Sequence, residues 1–120
     1  MKAPDKDDYK KPRRCLQYLP GTLDLELTLE ADDFHVVKWW VDASYAVHPN
    51  MKSQTGATMS LGKGSIYSAS KRQKLNTKSS TEAELVGVDD VMAQVLWTRY
   101  FLEVHSYKIR NNKVFQDNQS

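Results

Sequence analysis

The chain has 120 residues, of which 27% are charged and 40% hydrophobic, with a net charge of +2. That length fits one domain, the balance of residue types argues against disorder, and so small a net charge excludes a polyelectrolyte acting through overall charge alone. A lone cysteine, Cys15, excludes an internal disulfide and fits a reducing, cytoplasmic or nuclear compartment, and no apolar run approaches the ~20 residues of a membrane span.

Residues 12–19, PRRCLQYL, suit a short helix with Pro12 in its first turn, where a missing N–H costs little, and Pro20-Gly21 stops it. Residues 22–30, TLDLELTLE, alternate Leu23, Leu25, Leu27 and Leu29 with polar residues, which predicts a strand with one wet face. Residues 35–45, HVVKWWVDASY, are rich in β-branched and aromatic residues and alternate poorly. They predict a strand covered on both faces, hence central. TGATMSLGKGSIYSASK then reads as two strands around a glycine-supplied hairpin turn at 62–64. The basic loop RQKLNTKSS leads to the longest element, a helix over about 80–104 in which Gly87 is a weak point, and KVFQ at 113–116 is a short last strand. The order of elements is a mixed α/β plan.

Basic residues are clumped at Lys10, Lys11, Arg13 and Arg14, and again at Lys71, Arg72, Lys74 and Lys78. Such clumps can follow phosphates, and they can equally be solvated faces. His35, His48 and His105 have no partner at metal-ligand spacing.

The stretch SSTEAEL at 79–85 places two glutamates at the start of the long helix. With Ser79 as N-cap, Glu82 falls at the third helical position and can reach back to the N-cap N–H. Steps of four, seven and eleven from Glu82 reach Val86, Asp89 and Ala93, a mixed face. From Glu84 the same steps reach Val88, Val91 and Val95, so Glu84 heads the buried stripe. A carboxylate there is costly to desolvate unless something neutralises it, and no lysine or arginine stands one turn away. A metal ion shared with other carboxylates is one solution. Asp42, which closes KWWVD, and Asp117, which closes KVFQD, would share one sheet edge with Glu84 if their strands are parallel neighbours. Three hard oxygen ligands suit Mg²⁺ or Mn²⁺ better than zinc.

Taken in order, LQYLPGT, VDASYA, KSQTGATMSLGKGSIYSASKRQ, SSTEAEL, LWTRYFLE and QDNQS resemble the ribonuclease H region of a copia-type retrotransposon polyprotein, downstream of its reverse transcriptase. The resemblance covers nearly the whole chain. It implies a ribonuclease H-like fold in which three antiparallel strands precede a parallel fourth beside the first, with a long helix on one face. Residues 1–34 would be the tail of the preceding connection region and 35–120 the ribonuclease H-like domain. It further implies cleavage of the RNA strand of RNA–DNA hybrids with two Mg²⁺ or Mn²⁺ ions. Asp42 would bridge both ions, Glu84 would bind one of them and Asp117 the other. Ser44 and Asn118 would contact substrate, and Lys71, Arg72 and Lys74 phosphates. The expected partners are the hybrid and the reverse transcriptase region of the same polyprotein.

The resemblance also departs in places. That domain needs a further helix, a last strand segment and a terminal helix bearing a fourth metal-site residue, whereas this sequence stops at Ser120. The expectation is thus a domain truncated at its C-terminus. Its alternative is a catalytically inactive remnant with weak nucleic-acid binding. An integrase-type nuclease fits less well, because its last carboxylate would be a glutamate.

Overall fold

A computed structural model describes residues 4–117. Helix α1 spans Lys6–Tyr18, and a 3-10 turn at Leu19–Thr22 follows it. The strands are β1 (Glu30–Ala31), β2 (Val36–Ser44), β3 (Gln54–Ser60), β4 (Gly62–Lys63) and β5 (Tyr67–Arg72); helix α2 (Ser80–Val104) precedes β6 (Asn111–Phe115). The architecture is mixed α/β. Four strands form one sheet in the order β5-β3-β2-β6, with β2 antiparallel to β3, β3 antiparallel to β5, and β6 parallel to β2.

One face of this sheet carries the core. Val37, Trp39 and Val41 of β2 and Ala57 and Met59 of β3 pack against Val91 and Val95 of α2, with Ile109 closing one end. The edge of the Trp39 ring meets Tyr67 at 5.8 Å between centroids. β2 lies inside the sheet as its composition predicts, but it is covered on one face only. Lys38, Trp40 and Asp42 alternate outward, and Trp40 is 41% exposed. The expectation of cover on both faces is therefore corrected, because β-branched and aromatic content does not distinguish a buried face from an aromatic one left open.

Three further expectations change. Helix α1 starts six residues before Pro12, which sits in its interior. Asp5 is the reason: its side chain accepts from the N–H groups of Asp7 and Asp8, while Asp8 Oδ2 accepts from Asp5 N–H, a reciprocal cap. The leucine-alternating stretch is not a strand over its length. Only Glu30 and Ala31 pair, with Lys63 and Gly62, and Leu23, Leu25, Leu27 and Leu29 are all exposed. The turn after β3 is longer than a tight hairpin, since Gly62 and Lys63 themselves form β4 and the chain returns to β3 at Ile66, whose N–H donates to Met59 O.

Candidate metal centre

Parallel pairing of β2 with β6 sets Trp40 beside Phe115, and continuing that register by two residues brings Asp42 level with Asp117. Period two keeps both aspartates on the sheet face that shows Trp40 and Phe115, whose rings stack at 5.3 Å. The opposite face receives the first turns of α2. There Ser79 caps the helix by accepting Glu82 N–H at 3.1 Å, and Glu84 is carried to the sheet edge from the core side.

Asp42, Glu84 and Asp117 each offer a carboxylate oxygen, and the three oxygens lie within 4.8 Å of one another. Glu84 is 8% exposed, while the two aspartates are open to solvent. The Glu84 carboxylate is held from two sides: Oε1 accepts the Ala43 backbone N–H at 3.2 Å, and Oε2 accepts Gln116 Nε2 at 2.9 Å. Hydrogen bonds to a carboxylate offset part of the cost of burying it. Glu82 stays exposed and turns back along the chain, as the helical-face argument requires. It accepts Lys78 N–H at 2.6 Å, one residue before the N-cap whose own N–H it was expected to reach.

The acceptor set is all oxygen, with no histidine or cysteine in it, a donor chemistry that hard divalent cations prefer. A groove of about 590 Å³ opens beside it on the free sheet face, lined by Trp40, Asp42, Gly56, Thr58, Phe115 and Asp117 among others.

The remaining expected residues are placed unevenly. Ser44 ends β2, exposed, on the Asp42 side of the sheet. The register runs Ser44–Gln54–Arg72 across three strands, so Arg72 shares that face and that edge, whereas Lys71 pairs with Thr55 on the face toward α2. Lys74 lies in the loop beyond β5, exposed, its carbonyl accepting Lys52 Nζ at 2.8 Å. Asn118 lies outside the described residues. Two contributors were missed from the sequence, the Ala43 N–H and Gln116. For Gln116 a signal existed: it stands between Phe115 and Asp117, and alternation alone turns it toward the helix.

Among the described residues, no helix is long and apolar enough to cross a membrane. No protein-family profile and no solved structure matches the chain significantly. Curated relatives do. The chain is 30% identical over 121 aligned positions, its whole length, to the "Retrovirus-related Pol polyprotein from transposon TNT 1-94" of Nicotiana tabacum. It is 32% identical over 98 positions, 81% of its length, to the corresponding polyprotein from transposon RE2 of Arabidopsis thaliana. It spans 9% of the first relative and 7% of the second. The chain is thus homologous to a short stretch of the Pol polyproteins of plant retrotransposons.

Proposed function

We propose that this stretch is the metal-binding part of a ribonuclease H-type nuclease within a retrotransposon Pol polyprotein, acting on the RNA strand of RNA–DNA hybrids. The observation that carries the reading is the meeting of Asp42, Glu84 and Asp117 within 4.8 Å, from two strand ends and one helix start. The strand order β5-β3-β2-β6 with a parallel β6 agrees with a ribonuclease H-like sheet, and the Pol homology supplies the setting. Asp42, Glu84 and Asp117 would hold Mg²⁺ or Mn²⁺, two ions in the working enzyme. When bound, such ions neutralise phosphate charge and activate water.

The chain's own residues do the rest. The two aspartates present their carboxylates on the open sheet face, where the groove admits a strand of nucleic acid. Ala43 and Gln116 fix the Glu84 carboxylate. Arg72 stands two strands across from β2 on the same face, in the row of Ser44 and so about 7 Å along the strand from the row of Asp42, within reach of a phosphate of the same duplex. Ser44, two residues beyond Asp42 on the same face of β2, can donate its hydroxyl to the sugar–phosphate backbone. The reverse transcriptase region of the same polyprotein is the natural partner, since it makes the hybrid.

The test is incubation of the purified chain with end-labelled RNA–DNA hybrid in Mg²⁺ and in Mn²⁺, with Asp42→Asn alongside, and Mn²⁺ binding measured by calorimetry. Mn²⁺ binding that is lost in Asp42→Asn is the expected result, and any metal-dependent RNA cleavage by the parent chain should vanish in that variant. Absence of Mn²⁺ binding by the parent chain would sink the proposal.

A further inference from the structure

The Glu84 carboxylate is held by the protein from two sides. Both of its oxygens are engaged on the protein side, Oε1 by the Ala43 N–H and Oε2 by Gln116 Nε2. Two donors occupy two of about four lone-pair sites on a carboxylate, which leaves the pairs facing Asp42 and Asp117 free. Both donors are also neutral. They set the plane of the carboxylate without cancelling its charge, as a lysine or arginine at the same place would.

Gln116 follows directly on β6, and the alternation of that strand carries on through it. Phe115 stacks on Trp40 on the open face, Asp117 returns to that face, and Gln116 between them turns toward α2. It is otherwise solvent-exposed, so its amide loses little by remaining in water. The buried carboxylate, with few other partners, is the group that depends on the contact. We infer that Gln116 is a positioning residue for the carboxylate cluster, holding the Glu84 carboxylate oriented for a divalent cation; this rests on the metal-site reading above. Partners of this kind, hydrogen-bonded to a metal ligand, typically contribute 10–100-fold in metal affinity or activity.

Two measurements on the full chain test it. In calorimetric titration with Mn²⁺, Gln116→Met keeps the length of the side chain but removes the donor, and its Kd is expected to rise about tenfold. Glu82→Ala, on the same helix end but facing away, should leave the Kd unchanged. In metal-free protein, the Gln116 side-chain amide resonance should shift when Glu84 is replaced by alanine, which reports the contact independently of any metal. A parent that binds Mn²⁺ as tightly as Gln116→Met, or an amide resonance indifferent to Glu84→Ala, overturns the inference alone. A parent that binds no Mn²⁺ overturns the metal-site reading and the inference with it, even where the amide shift is present.

Discussion

Two residues apart, Glu82 and Glu84 take opposite roles because a helix rotates about 100° per residue. Glu82 faces water and accepts an N–H ahead of the helix; Glu84 faces the core edge and meets Ala43, Gln116 and the two aspartates. Glu84→Gln is isosteric but has one acceptor where the site needs two. Its amide nitrogen would face the Ala43 or the Gln116 donor, leaving a polar group unpaired at a cost of about 1–3 kcal/mol. Loss of both Mn²⁺ binding and hybrid cleavage is expected, whereas Glu82→Ala should lose about 1 kcal/mol of stability and keep both. Equal loss of activity in the two variants would defeat the assignment. Asp33 offers a separate test at this scale. Its carboxyl is held below the usual value of 3.8, first by the His35 N–H at 2.8 Å and then, against some desolvation, by Arg110 at 2.6 Å. A carboxyl with a depressed folded value adds stability that is present above the unfolded value and lost as pH falls through the folded one. Melting temperature should therefore fall less steeply in Asp33→Asn than in the parent as pH drops from roughly 4 downward. Parallel curves would show that the Asp33 contacts contribute nothing.

Helix α2 was legible in the sequence from end to end, since a serine cap and a buried stripe at helical spacing are both local signals. β2 was legible too, and so was β6 as a last strand, although it starts at Asn111, two residues before the expected KVFQ, and ends at Phe115, one residue before Gln116. The failures share a cause. Period-two alternation at 22–30 states which side of a strand would be wet, not whether a neighbouring strand exists to pair with it, and here only its last residue finds one. α1 begins where it does because Asp5 and Asp8 cap it reciprocally, a signal that lies upstream of the PRRCLQYL stretch and of the proline taken as its first turn. The glycines show the same contrast between local rule and context. Gly87, a weak point by helix propensity, lies where an added Cβ would meet Ala43 Cβ at 3.5 Å, an ordinary contact. Gly87→Ala should gain about 0.5–1 kcal/mol in chemical denaturation, with Mn²⁺ binding retained. Gly64 has φ +72° and an added Cβ would collide with the Thr28 carbonyl and the Leu29 side chain. Gly64→Ala should lose roughly 1–3 kcal/mol, and a gain there would show that the 27–31 segment does not rest on this turn.

At the scale of the whole molecule, a net charge of +2 cannot by itself hold a polyanion, so the placement of the basic residues decides how a hybrid would bind. The sheet separates residues that are neighbours in sequence. Arg72 lies in the row of Gln54 and Ser44, on the face and at the edge of the carboxylates, while Lys71 is turned toward α2 beside Asp90. A duplex seated in the groove over Trp40 and Phe115 would bring phosphates to Arg72 and to the loop bearing Lys74, but not equally to Lys71. Each lost phosphate contact lowers the slope of log K against log salt by about 0.7–0.9. Arg72→Ala should therefore reduce that slope by close to one unit. Lys71→Ala should change it much less, and the pair Arg72→Ala with Lys74→Ala by nearly two. Fluorescence anisotropy with an RNA–DNA hybrid, in Ca²⁺ to suppress turnover and over roughly 50–200 mM salt, reads these slopes directly. Equal effects of Lys71→Ala and Arg72→Ala would mean that the substrate approaches from another side, and that the open sheet face is not the surface on which nucleic acid lies.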